Sequence, residues 1–216
     1  MIIQYAFLVL ILSGSILNVC GQAESSARHG LPGQHALLFQ VGENFSLRSF
    51  DGSLISLKKQ LSEKKAWRLS IGLSGYHTKS EKVMSIDTTT SIYDSDDSQA
   101  NVSLSFSFQF FTNPEDVLSF YYGYGVRTMW NHNWSDVPHI YNDGADQLSI
   151  GPIGFLGIEY AVTDRIKLSG EYGAFLYYRY AFTKYDRPIV DNKDKTTSHT
   201  FGLTPDYVRL GLSAYF

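Results

Sequence analysis

Three groups of residues in this sequence have types and spacing that could do chemistry. His132, Asp136 and His139 lie close enough together to hold a divalent metal, but a polar stretch of this kind is equally well solvated. Asp94, Asp96 and Asp97, in the stretch YDSDDS, could attract a divalent cation; the ordered twelve-residue loop of a calcium site is missing, so they read as solvated charge. His77 and the adjacent Ser198 and His199 supply a base and a hydroxyl, but no motif ties a serine to a histidine and a carboxylate. No catalytic residue, metal site or cofactor follows from these groups, and the expectation is that the chain is not an enzyme.

A fourth group points to ion pairing. Arg48, Lys58, Arg68, Arg127, Glu159, Lys167, Glu171, Arg179 and Arg209 all fall on the polar side of segments that alternate apolar and polar. That alternation has a period of two, the mark of a β-strand with one apolar face. Val102, Leu104, Phe106, Phe108 and Phe110 oppose Ser103, Ser105, Ser107 and Gln109. Trp67, Leu69, Ile71 and Leu73 oppose Arg68, Ser70, Gly72 and Ser74.

The elements that must position these residues are strands throughout. Of 216 residues, 44% are apolar and 15% aromatic, with 18 Gly and only 6 Pro, a composition suited to strands and tight turns. The formal charge of -3 and the lack of a basic cluster argue against a nucleic-acid partner. Eight strands are expected: Leu37–Arg48, Leu54–Leu61, Ala66–Thr78, Ala100–Phe111, Val117–Trp130, Leu148–Val162, Ile166–Tyr180 and a last one ending at Phe216. Long polar loops are expected over Lys79–Ser98, Asn131–Asp146 and Lys184–His199, and tight turns between the other pairs. From the second turn onward the connections alternate short and long; only the first, SFDGS, is short where a long one would fit. An up-and-down meander of this kind has one end of tight turns and one end of long loops. Residues 1–23 read as a signal peptide and 24–36 as a polar segment, leaving 37–216 as one barrel domain. Cys20 is the single cysteine, so no intrachain disulfide forms.

The polar face decides which side is inside. Gly and Ser with a few charges suit the cramped lumen of a narrow barrel, whereas a water-exposed outer wall favours Lys, Glu and Thr. The apolar residues, Leu104, Phe106, Phe108, Leu210 and Leu212 among them, are therefore expected to face lipid. Trp67, Trp130, Tyr160, Tyr178 and Tyr180 lie near strand ends, where headgroups would be. Inside, Glu159 and Glu171 are expected among Arg127, Lys167 and Arg209, with Arg68, as an internal salt-bridge network. Glu43 does not fit, since its parity with Phe39, Val41, Phe45 and Leu47 turns it to lipid.

The chain ends on YVRLGLSAYF, in which Val208, Leu210, Leu212, Ala214 and Phe216 share one side. This stretch resembles the C-terminal signature of bacterial outer-membrane β-barrels, alternating apolar residues that end on an aromatic. The resemblance implies an all-β, eight-stranded antiparallel up-and-down barrel in the bacterial outer membrane, delivered there by the barrel assembly machinery. It implies contact with outer-membrane lipid and lipopolysaccharide. Some barrels of this size modify lipid A and others form narrow pores. The expected role is structural or one of surface interaction through the long loops, with a pore for small solutes or ions as the alternative and a lipid A-modifying enzyme as the second.

Overall fold

The computed structural model describes residues 31–42, 53–86, 89–137, 141–187, 192–205 and 208–216, with side chains described at all of these except 82–93, 137–142 and 186–193. The chain forms nine strands: β1 His35–Val41, β2 Ser53–Ser62, β3 Lys65–Ile86, β4 Thr89–Phe111, β5 Leu118–Val137, β6 Tyr141–Ala161, β7 Ile166–Arg187, β8 Asn192–Pro205 and β9 Arg209–Tyr215. Each pairs antiparallel with its sequence neighbour from β1 to β8, and β9 pairs with both β7 and β1. The sheet is therefore a closed ring. β8 and β9 occupy one position in it, since β8 lies on the upper half of β7 and β9 on the lower half. Four positions on β7, from Glu171 to Ala174, span the same stretch as five on the partner, from Arg209 to Pro205, so the register differs by one between β9 and β8. Eight wall positions result, the number expected from the alternating pattern.

Closure joins the first described strand to the last. Phe216 N donates to His35 O at 2.9 Å and His35 N donates to Phe216 O at 3.2 Å, while Ala36–Val41 run against Leu210–Tyr215. A terminal strand stays ordered to its last residue because both edges of the sheet are joined there. The first strand begins at His35, two residues before the expected start, and Glu43, Phe45, Leu47 and Arg48 lie outside the described residues.

The long loops expected from the sequence are largely not loops. β3 and β4 run as one ladder from Lys65↔Phe110 to Ile86↔Thr89, β5 and β6 from Leu118↔Tyr160 to Val137↔Tyr141, and β7 and β8 to Arg187↔Asn192. Strands of 20 to 23 residues are about twice the 9–11 that cross a bilayer. Their upper halves carry the wall beyond the apolar belt. Both faces are polar there, as in SDDSQ, so period two cannot be seen in side-chain hydropathy although the backbone keeps it.

At the other end the connections are tight: 63–64, 112–117 and 162–165. Both described chain ends lie there too, with Gln60 N donating to Gln34 O at 2.9 Å and Tyr215 N to Arg165 O at 2.7 Å.

Candidate functional site: the plugged lumen and its vestibule

Burial alternates along every strand of the belt. Leu104, Phe106, Phe108, Leu210 and Leu212 stand on the outer wall, between 37% and 51% exposed, while Ser105, Ser107, Gln109 and Ser213 are buried inside. Val208 and Ala214 are on the outer wall as well, and Phe216 is exposed at its foot, stacked on His35 at 6.2 Å. A protein in water does not leave so continuous an apolar belt uncovered while burying serine, lysine and glutamate.

The lower lumen is solid. In the lowest layer Glu159 accepts from Lys58 Nζ at 2.8 Å and from the Tyr215 hydroxyl at 3.2 Å, with Lys167 Nζ at 3.6 Å. One turn of the ladder higher, Glu171 receives both terminal nitrogens of Arg68, at 2.7 and 3.0 Å, and the Tyr121 hydroxyl at 3.2 Å. Arg209 stands directly across the β7–β9 ladder from Glu171. Each carboxylate is thus held by a cation and a phenol, which is what charge buried in a narrow barrel requires. Arg127 and Arg209 were the expected neighbours of the carboxylates along with Lys167. Arg68, also expected in the network, reaches Glu171 across the lumen from the far side of the ring, and Lys58, not among the expected members, reaches Glu159 in the same way.

Above and between these ions lies an apolar plug that the alternation did not foretell. Phe111, Tyr121, Ile153, Phe155 and Phe175 form a buried cluster inside the barrel with Ala66, and Tyr177 packs against it. The inward rings sit opposite glycines in the ladder: Phe155 faces Gly123 and Gly173, Tyr121 faces Gly157, and Tyr177 faces Gly202. A Cβ at Gly157 would lie 2.5 Å from Tyr121 Cζ, and one at Gly202 2.5 Å from the Tyr177 hydroxyl. The ring lies across the glycine and fills the space its missing side chain leaves. The glycine-to-aromatic pairing in YYGYG and IGFLGIEY was the sequence signal for it. Cations cap the rings: Lys58 is 4.6 Å from the Phe111 centroid, Arg68 4.7 Å from Phe155, and Arg127 5.3 Å from Phe175.

Above the plug the lumen opens into a vestibule walled by the strand extensions. Met129, inward-facing, is 38% exposed, and Ser74, Asn101 and Arg179 are half-buried. Near the mouth a cavity of about 400 Å³ is lined by Tyr76, Thr78, Asp97, Asn133, Ser135 and Asp143, among others. The Asp97 carboxylate accepts there from the Ser135 and Ser95 hydroxyls.

The candidate chemical groups of the sequence lie along this wall near its mouth: Asp96 stands across the ladder from Asp136 and lines one cavity with it and Asp94, whereas Asp97 turns inward. His132 is paired with Asp146 at 2.9 Å and stacked on Trp130; His139 lies outside the described residues. His77 uses one nitrogen, Nδ1, for both Ser98 Oγ at 2.8 Å and Asp96 Oδ1 at 3.1 Å. A serine nucleophile needs the opposite ring nitrogen from the one its carboxylate holds, so this cluster has the composition of a triad without its geometry. His199 bonds the Tyr178 hydroxyl at 2.5 Å rather than Ser198. Among the described residues no group of three or more His, Cys, Asp and Glu is placed to hold a metal.

The closed ring of strands occurs in known structures. The chain is similar to the outer membrane protein OprG from Pseudomonas aeruginosa, with a TM-score of 0.55 at 13% identity, over 89% of this chain and 99% of that one. The fold is that of a bacterial outer-membrane β-barrel. This barrel is also similar to a major outer membrane protein from Thermus thermophilus, with a TM-score of 0.53 at 16% identity, over 85% and 99% of the two chains. No family model and no curated protein matches the sequence of the barrel.

Proposed function

We propose that this chain is an integral, non-conducting barrel of the bacterial outer membrane that works through the wall it raises outside the cell. The tight-turn end faces the periplasm and the long hairpins face outward. The apolar belt contacts lipid, and Trp130 and Tyr180, 41% exposed each at the top of the belt, stand where lipopolysaccharide headgroups begin. The barrel assembly machinery inserts the chain, reading the strand that ends at Phe216.

The observation that carries this reading is the filled lower lumen. Lys58, Arg68, Glu159, Lys167 and Glu171 are all buried, and Phe155 and Phe175 close the space above them. An ion crossing this layer would have to break buried charge pairs that span the lumen. The reading assigns no catalytic activity to the barrel. Planar-bilayer recording on the refolded protein tests it: a silent trace is expected, and discrete, reproducible conductance steps would overturn it in favour of a narrow pore.

A further inference from the structure

We infer that the foot of the outer wall, over β2 to β5, is a site for a phospholipid with a net-negative headgroup, its phosphate on Lys59 and Lys65 and its chains on the aromatic rows above. The inference rests on the reading that the tight-turn end faces the periplasm, which makes this a lipid of the periplasmic leaflet.

A local irregularity shapes the site. The β2–β3 register shifts between Gln60 and Ser62, so Leu61 is one residue more than the ladder can pair. A bulge of this kind bends the strand and re-aims its side chains. Leu61 stands on the outer wall, 48% exposed, beside a groove of about 290 Å³ lined also by Lys65, Phe108, Phe110 and Tyr124. Lys65 Nζ lies 5.7 Å from the Phe110 centroid, and Phe110 is stacked on Tyr122 and Tyr124 at 5.4 and 5.7 Å. The ring holds the ammonium at the edge of the groove without neutralising it.

Lys59 is the second cation. It faces outward across the ladder from Trp67, and Lys65 lies two positions below Trp67 on β3. Lys59 and Lys65 are thus diagonal neighbours on one face, with Cβ atoms about 7 Å apart, and both ammoniums can reach a single phosphate. Lys64, exposed in the adjoining turn, adds a third positive charge. Among the described residues none of the three lysines has an ion-pair partner. The carboxylates of this end, Glu63, Glu115, Asp116 and Asp164, lie in the turns beyond the strands.

This order of groups matches a leaflet margin. Carboxylates stand farthest out in water, lysines on the outer wall come next, and Trp67, Phe108 and Tyr124 form one row across the ladders above them. Lysines at such a level extend their stems along apolar surface and place the ammonium among phosphates. Two adjacent cations repel each other until an anion lies between them. A net-negative headgroup supplies that anion, whereas a zwitterionic one brings an ammonium of its own.

Trp67 makes the site testable, because a brominated acyl chain quenches a tryptophan that it touches. Trp130→Phe/Trp134→Phe leaves Trp67 as the single tryptophan. Its quenching is measured in phosphatidylcholine vesicles carrying equal fractions of brominated phosphatidylglycerol or brominated phosphatidylcholine. A preference of at least about threefold for the anionic lipid is expected. Adding Lys59→Gln/Lys65→Gln should bring the two lipids close to equality. Lys184→Gln/Lys195→Gln removes the same charge from exposed positions that face each other at the far end of the wall, and should leave the preference intact. If the Lys59→Gln/Lys65→Gln protein does not insert, Lys65→Gln alone, at an exposed position, should at least halve the preference. Equal quenching by the two lipids in the parent protein, a preference that survives loss of these lysines, or one that falls equally in the far-end variant would overturn the site. Such a failure in a barrel that inserts and keeps its fast gel mobility leaves the membrane reading standing; failure of the parent protein to insert into any vesicle would overturn that reading instead.

Discussion

Lys58 Nζ lies 2.8 Å from Glu159 Oε2 across the whole width of the barrel, with the two side chains 1% and 3% exposed. β2 and β6 are four places apart in a ring of eight, so they are diametrically opposed, and the pair is a strut through the lumen. Arg68 and Glu171 form a second one, between β3 and β7, again four places apart. The struts tie opposite walls whose hydrogen-bonded neighbours are other strands. Replacing Glu159 by Gln leaves Lys58 and Lys167 facing each other without a carboxylate. That change should lower stability by about 3–5 kcal/mol. Lys58→Met and Lys167→Met combined with Glu159→Leu should regain most of the loss, since apolar groups of similar volume need no partner. Urea midpoints followed by gel mobility check both, and equal midpoints for wild type and Glu159→Gln would remove the struts from the stability of the fold.

The inward aromatics make a second kind of demand. At Gly157 a methyl group would meet Tyr121 Cζ at 2.5 Å and the Gly170 carbonyl oxygen at 2.6 Å, one of them backbone that cannot turn aside. Gly157→Ala should cost about 1–3 kcal/mol through this overpacking. Gly154, three residues earlier, faces outward with nothing within 4 Å of an added Cβ. Gly154→Ala should be neutral or mildly stabilising in the same denaturation assay. Equal effects at the two positions would show that backbone freedom, not the ring, fixes glycine at 157.

Much of the fold was legible because the belt enforces period two. Ser103, Ser105 and Ser107 against Leu104, Phe106 and Phe108 give the orientation of β4, and Leu210 to Phe216 give the closing strand. Two features were not legible for opposite reasons. In the extensions both faces meet water, so Asp94–Gln99 carries no alternation although the ladder continues past it. In β6 and β7 both faces are apolar over a stretch, since Ile153, Phe155 and Phe175 turn inward beside outward Leu156 and Leu176. Arg68 and Lys167 were expected in the network, but Lys58 as a partner of Glu159 was obscured by distance along the chain, 101 positions, which parity cannot bridge. Only the ring, once closed, sets β2 opposite β6.

The outer wall should be intolerant of charge in proportion to depth. Leu104 lies mid-belt, level with Thr128 and Ile71, whereas His132 is already paired with Asp146 above the belt. Leu104→Arg should destabilise the barrel in phospholipid vesicles by about 2–4 kcal/mol, and His132→Arg by about 0–1 kcal/mol. Equilibrium refolding into vesicles of fixed thickness separates the two. A Leu104→Arg cost no larger than that of His132→Arg would mean that the apolar wall is not set against hydrocarbon, and the membrane reading would fall with it.

Phe216 has a structural task and a proposed recognition task, and the two can be pulled apart. Structurally it supplies the last rung of closure, its N–H and C=O both engaged by His35, and its ring adds a stacked contact at 6.2 Å on an exposed surface. Phe216→Ala keeps both backbone hydrogen bonds and loses only that contact, so refolding in vitro should change by less than about 1 kcal/mol, within the range of an exposed aromatic pair. Deleting residue 216 removes the rung as well and leaves the His35 backbone groups unpaired at the sheet edge, which should cost more. Assembly in cells makes a different demand. If the barrel assembly machinery reads the terminal aromatic, Phe216→Ala should lower the folded, heat-modifiable protein in outer-membrane fractions several-fold despite its near-normal refolding. Equal cellular levels for Phe216→Ala and wild type would confine residue 216 to the closing of the ring.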